Sequence, residues 1–142
     1  MIYLRKALPK DCWQIWYWRN EETARMNSLN TDPIPYEEHK IWYTKAMKNH
    51  DLCILIISNS SLCDVGYIRM GDGKISVCID KKHRRKGYAT SAIKQASWKR
   101  CLTAEIKCDN VASIKAFKNA GYEDAVPKTQ NGASQQKRIC QI

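Results

Sequence analysis

The sequence predicts a mixed α/β fold in a single domain covering residues 1–142. Strand-like and helix-like patterns run in the order β-α-α-β-β-β-α-β-α-β-β. The three central strands are joined by turns short enough to force an antiparallel meander. At 142 residues the chain can bury a real core, and there is little room for a second domain.

Ile2 to Ala7 reads as a short strand, and Pro9-Lys10-Asp11 as the start of a helix with proline in its first turn. That helix runs through Trp13, Ile15, Trp16 and Tyr17 into Trp18-Arg19-Asn20, and Glu21 to Met26 adds a further helical turn. Asn30 to Pro35 is a loop on its turn residues. Tyr36 to Asn49 is helical, with Ile41, Tyr43 or Thr44, and Met47 offering the apolar face. Leu52–Ser58, Leu62–Met70 and Lys74–Asp80 are the meander strands; in the last, Ile75, Val77 and Ile79 share one face. Gly87 to Leu102 is a helix with Ala89, Ala92, Ile93 and Ala96 along one side. Thr103–Cys108 is a strand, Asn110–Ala120 a helix, and Gly121-Tyr122 opens another strand. The polar segment Lys128–Ser134 leads to a terminal strand over Gln136–Ile142.

Composition narrows the functional classes. The longest apolar run, Leu52 to Ile57, falls far short of the roughly 20 residues of a membrane-spanning helix. The N-terminus has no long apolar stretch of the secretory kind, so a cytoplasmic protein without a membrane partner is expected. Seven cysteines, none in a two-residue metal or redox spacing, are expected to be reduced and mostly buried, with no metal site. The net charge of +10 suits an anionic partner: nucleic acid, a membrane surface, or a phosphorylated cofactor or substrate. Its densest cluster is Lys81-Lys82-His83-Arg84-Arg85-Lys86.

That cluster lies between a strand and a helix that opens at Gly87. The first turn of a helix carries unpaired N–H groups and the positive end of the macrodipole. Gly87 and Ala89 let an anion approach the backbone, while Arg84, Arg85 and Lys86 surround it with charge, which is the chemistry of a pyrophosphate site. Neither GxxxxGK[ST] nor GxGxxG occurs in the chain, which excludes the two better-known phosphate loops.

Arg84-Arg85-Lys86-Gly87-Tyr88-Ala89 resembles the acetyl-CoA loop of the GNAT superfamily: Arg or Gln, two residues, Gly, one residue, Gly or Ala. Downstream, Asn110 to Gly121-Tyr122 resembles that family's following segment, an Asn and a helix ending in Gly-Phe or Gly-Tyr. The resemblance implies a splayed central strand pair, Lys74–Asp80 beside Thr103–Cys108, with the pantetheine arm of acetyl-CoA in the gap. It implies cofactor contacts from Val77, Cys78, Ile79, Arg84, Arg85, Lys86, Gly87, Tyr88, Ala89, Thr90, Asn110 and Ser113. A backbone N–H near Val77 to Ile79 would polarise the thioester carbonyl.

The catalytic acid and base are less conventional. The family's usual tyrosine acid aligns with Phe117, which has no proton to give, leaving Ser113 or water. His39, Glu105 and Asp72 are the candidate bases, His39 because its ordinary pKa of about 6.5 leaves it partly neutral.

On the acceptor side, Arg19, Asn20, Arg25, Ser28, His39 and Trp42 resemble a subgroup acting on nucleotide-linked amino sugars. Arginine suits a diphosphate, and tryptophan stacks on a sugar or base. The same Trp-Arg-Asn element and His-to-Trp spacing also resemble the branch that acetylates ribosomal-protein N-termini. A polyamine or an antibiotic is a further acceptor class. The expectation is an N-acetyltransferase, monomeric or homodimeric, taking a small-molecule amine and no nucleic acid. Its rivals are a non-catalytic CoA binder and a basic nucleic-acid-binding protein.

Overall fold

The computed structural model describes residues 1–125 and 136–141. Strand β1 (Ile2–Lys6) leads through a single 3-10 turn into helices α1 (Cys12–Asn20), α2 (Glu22–Met26) and α3 (Tyr36–Lys48). The meander β2 (Leu52–Asn59), β3 (Asp64–Gly71) and β4 (Lys74–Ile79) follows. After a second 3-10 turn come α4 (Tyr88–Ala96), β5 (Thr103–Lys107), α5 (Val111–Asn119), β6 (Tyr122–Asp124) and β7 (Gln136–Gln141). The strands form one seven-stranded sheet in the order β1-β2-β3-β4-β5-β7-β6. Its only parallel contact among the described residues is between β4 and β5. The expected connector Lys128–Ser134 and Ile142 lie outside the described residues.

Each sheet face has its own core, as the two-residue alternation of β-strands requires. Ile57, Val65, Ile68, Met70 and Ile75 face α4 and α5, burying Ala92, Ile93 and Phe117. On the opposite face Ile54 and Ile56 pack against Ile15 and Trp18 of α1 and Tyr43 and Ala46 of α3. Strand β4 divides between them: Val77 and Ile79 join the first core and Cys78 the second. Gly66 lets β3 approach β4 closely, because a Cβ there would run into the Cys78 carbonyl oxygen.

Polar anchors set which side of the helices turns inward. The buried residues of α3 are His39, Tyr43 and Ala46, whereas Ile41, expected on the apolar face, is 61% exposed. His39 Nε2 lies 2.9 Å from the Cys12 carbonyl oxygen, and the Tyr43 hydroxyl donates to the Leu8 carbonyl at 2.6 Å. Two buried hydrogen bonds to the start of α1 outweigh the exposure of one isoleucine. Asp11 fixes that start by accepting from the Leu8 N–H and both terminal nitrogens of Arg5.

Three expected boundaries move. Helix α4 ends at Ala96, not Leu102, in a turn where Arg100 N–H bonds the Ser97 carbonyl and Lys99 takes φ +56°. Strand β3 starts at Asp64, because Leu62 (φ +60°) belongs to the turn closed by Asn59 N–H and the Cys63 carbonyl. Chain segment 12–26 is two helices meeting at Glu21, whose extended backbone and side chain cap α2. Among the described residues no helix is long and apolar enough to cross a membrane. Cys63, Cys101 and Cys108 are exposed rather than buried.

Candidate active site

The parallel pair β4 and β5 touches at one position, Lys74 opposite Thr103, supported by the Thr103 N–H bonding the Gly73 carbonyl at 2.8 Å. Beyond it the strands splay. The direction of β4's backbone follows from its other neighbour. Asp80 N–H bonds the Val65 carbonyl, and β3 and β4 pair with Tyr67 opposite Cys78 and Arg69 opposite Ser76. In an antiparallel ladder alternate residues turn both backbone groups to the partner. Ser76 and Cys78 therefore face β3, and Val77 and Ile79 turn their N–H groups into the open gap. Cys78, an expected cofactor contact, has its backbone on the β3 side and its thiol toward the Trp18 carbonyl. Burial pushes that thiol up to about 12, so it stays protonated and inert.

The basic loop closes the far end of this gap. Asp80 accepts from the Lys82 N–H and from the Trp18 indole, fixing the loop's start against α1. Arg84 donates from Nε to the Ile79 carbonyl at 3.0 Å and from a terminal nitrogen to Glu21 at 2.9 Å. Its guanidinium is thus an anchor between loop, strand and α2. Burial opposes the Glu21 charge, but hydrogen bonds from Arg84 and the Ala24 N–H hold it below the usual carboxylate value. The chain then reverses through Arg85 (φ +65°) and Gly87 (φ +78°). No side chain caps α4, and its first backbone bond is Ser91 N–H to the Gly87 carbonyl. The N–H groups of Tyr88, Ala89 and Thr90 are left at the helix mouth. A Cβ built on Gly87 would meet nothing within 4 Å, so a phosphate has room to approach. Among the described residues Arg85 and Lys86 have no ion pair, leaving them as free countercharge; the Thr90 hydroxyl is turned to the Ala116 carbonyl of α5.

Helix α5 flanks the gap. Asn110 caps it by accepting from the Ser113 N–H at 3.3 Å, which leaves the Asn110 amide N–H₂ for a ligand; the Ser113 side chain is half-buried in the first turn. Phe117 is 2% exposed and packs edge-on to Tyr122 with ring centroids 5.0 Å apart. It is a core residue and offers no acid.

An open cleft of about 540 Å³ lies on the α1–α3 face, where the acceptor residues were expected. Trp42, Lys45, Arg69, Asp72, Ser76 and Glu105 are among its lining residues. Glu105 projects from β5 and pairs with Lys74 across the strand junction at 3.4 Å. Three carboxylates (Asp51, Asp72, Glu105) are balanced by three cations (Lys45, Arg69, Lys74). Ser76, next to Val77, joins the cleft to the splayed gap.

The cleft gathers only part of the expected acceptor set. Trp42 lines it and Arg19 stacks on Trp42 at 5.1 Å. His39 does not reach it: the ring is 0% exposed, wedged between α1 and α3, and burial holds its pKa below the usual value. Arg25 spends its guanidinium on the Asn20 and Thr31 carbonyls, and Asn20 accepts from the Ile34 N–H. Ser28 bonds back to the Ala24 carbonyl. These three side chains build the loop over the cleft instead of lining it. Arg69, which the sequence reading passed over, lies in the cleft; on an alternating strand its one hint was a charge on the face that Tyr67 shares.

Comparison with known proteins agrees with this geometry. Residues 2–123 match the family model described as an acetyltransferase (GNAT) domain. Among solved structures, the chain is similar to spermidine N-acetyltransferase from Vibrio cholerae in complex with CoA and spermine. The TM-score is 0.83 at 14% identity, over 98% of this chain and 94% of that one. A dodecameric, intermediate-state structure of spermidine N-acetyltransferase from the same organism gives a TM-score of 0.75 at 16% identity, over 98% and 92%. A search of curated proteins gives no match.

Proposed function

The chain belongs to the GNAT acetyltransferase family, and we propose that it acetylates the amine of a nucleotide-linked amino sugar. Acetyl-CoA is the acetyl donor and supplies an activated thioester. One observation carries the reading: the splay beyond Lys74–Thr103 turns the Val77 and Ile79 N–H groups into a gap that opens beside the acceptor cleft.

The protein's own part follows from that placement. The Tyr88, Ala89 and Thr90 N–H groups with Arg85 and Lys86 hold the pyrophosphate, and the Asn110 amide reaches the pantetheine arm. A Val77 or Ile79 N–H donates to the carbonyl oxygen as negative charge develops on it. Glu105, on the cleft side of β5, takes the proton from the incoming ammonium so that the free amine attacks the carbonyl carbon. The carbon–sulfur bond breaks and the thiolate leaves; with Phe117 in the core, water returns its proton. The Lys74 ammonium lies 3.4 Å from the Glu105 carboxylate and orients it at the strand junction.

The choice of acceptor rests on charge. A polyamine carries several positive charges, and this cleft offers them no net negative charge, its three carboxylates being balanced by three cations, inside a chain of net charge +10. A phosphorylated acceptor is attracted by the same field. The test is a thiol-release assay with acetyl-CoA against UDP-linked amino sugars, spermidine and short peptides with free N-termini. Preference for the sugar nucleotide by roughly 100-fold or more in kcat/KM is expected. Preference for spermidine or a peptide would replace this acceptor assignment.

A further inference from the structure

Most arginines that pack against the body of this protein have an oxygen partner. Arg5 has Asp11 and Asp64, Arg84 has Glu21, and Arg25 has two backbone carbonyls. Arg19 and Arg69 do not. Arg19 lies in the last turn of α1 and Arg69 on β3, and both guanidinium carbons sit 5.1 Å from the centre of the Trp42 ring on α3. Among the described residues neither has a hydrogen bond or a carboxylate within ion-pair distance.

This arrangement holds two cations together with no protein anion between them among the described residues. Two like charges converge on one indole, and Arg19 is half-buried. Burial, and next to it the Arg69 charge, pull its pKa below the ordinary value, although the nearby Tyr67 opposes this. Cation–π contact offsets part of the repulsion and leaves the N–H groups of both forks open to solvent or to an anionic ligand. The carboxylates of the same cleft, Asp51, Asp72 and Glu105, form no ion pair with Arg69.

We propose that Arg19 and Arg69, stacked on Trp42, form a clamp for the phosphate or diphosphate of the acceptor and thereby set its specificity. The inference rests on the acetyltransferase reading and refines its acceptor side. Planar guanidinium forks match phosphate oxygens two at a time, which an ammonium could not do. Position agrees with the size of the acceptor. Arg69 pairs across the strands with Ser76, whose neighbour Val77 faces the gap. Arg69 thus stands one strand away from the β4 backbone that faces the gap. An acceptor that reaches from the clamp to the gap holds its amine apart from its phosphate, as a glycosyl phosphate or diphosphate does.

The test uses the whole chain saturated with CoA, so that the loop before α4 is already filled. UDP, inorganic pyrophosphate and malonate are titrated calorimetrically into wild type, Arg69→Gln, Arg69→Lys and Arg19→Lys. Arg69 is exposed, so Arg69→Gln should fold normally. UDP and pyrophosphate are expected to bind wild type and to bind Arg69→Gln at least tenfold more weakly. The lysine variants should fall between, and CoA affinity should be unchanged in all. The clamp is overturned if neither phosphate ligand binds CoA-saturated wild type, if Arg69→Gln binds them as wild type does, or if malonate alone binds. Failure of CoA itself to bind would instead remove the underlying acetyltransferase reading.

Discussion

Lys74 pairs with Thr103 at the single position where β4 meets β5, and its ammonium reaches across the same junction to Glu105. One residue thus marks where the sheet stops being continuous and links that point to the Glu105 carboxylate on β5. A sheet that opens at a parallel junction exposes backbone donors in its interior. Here those donors are the Val77 and Ile79 N–H groups.

Glu105 is the base in this account, so Glu105→Gln should lower kcat by about 100-fold, within the usual range for a lost general base. The dissociation constant for acetyl-CoA should stay the same. Asp72→Asn, at the cleft rim, should change kcat by less than about threefold. A normal rate for Glu105→Gln with a collapsed rate for Asp72→Asn would exchange their roles. Steady-state kinetics with calorimetry reads both.

His39 should act on stability and not on turnover. Its folded pKa lies below the ordinary value, chiefly through burial. As pH falls through about 6.5 the unfolded chain takes up a proton that the folded chain refuses, so stability declines toward the lower folded value. In His39→Gln the amide can still donate to the Cys12 carbonyl. Urea melts of this variant should show a flatter stability slope between pH 6.5 and 5, and kcat/KM should keep its wild-type pH profile. A 100-fold loss of kcat with the slope unchanged would make His39 the base after all.

The Glu21–Arg84 pair ties α2 to the phosphate loop. Glu21→Gln should cost about 1.5 kcal/mol of stability, the scale of a hydrogen bond to a charged group. Because the folded Glu21 pKa is lowered, its contribution is present above the unfolded value of about 4.3 and is lost as pH falls through the folded one. The variant's stability deficit should therefore shrink in acid. Acetyl-CoA affinity should drop by roughly three- to tenfold as the loop loosens. A deficit independent of pH would contradict this role for the pair.

The sequence made the meander, the crossover helices and the glycine-closed basic loop before α4 legible because each depends on local chemistry. Alternation at Ile75, Val77 and Ile79, glycine at 87 and the Asn110 cap are all short-range features. It was less informative where tertiary partners decide. His39 looked like a candidate base until the Cys12 carbonyl claimed it, and Arg25 and Asn20 looked like ligands until backbone groups of residues 20–34 did. Ile41 lost the inner face of α3 to hydrogen bonds made by its neighbours. Arg69 was invisible for the converse reason: what distinguishes it is the absence, among the described residues, of a carboxylate partner around a shared tryptophan, which no spacing encodes.

The measurement that tests the central claim most directly is calorimetric titration of acetyl-CoA into wild type and Gly87→Trp. The substitution places a large side chain at the mouth of α4, where a Cβ meets no neighbour. Its left-handed backbone costs about 1–2 kcal/mol, which the fold should survive. Micromolar-range binding by wild type and at least 100-fold weaker binding by a folded Gly87→Trp is the expected result. Absence of binding by wild type, or undiminished binding by the variant, would contradict the placement of acetyl-CoA between β4 and β5.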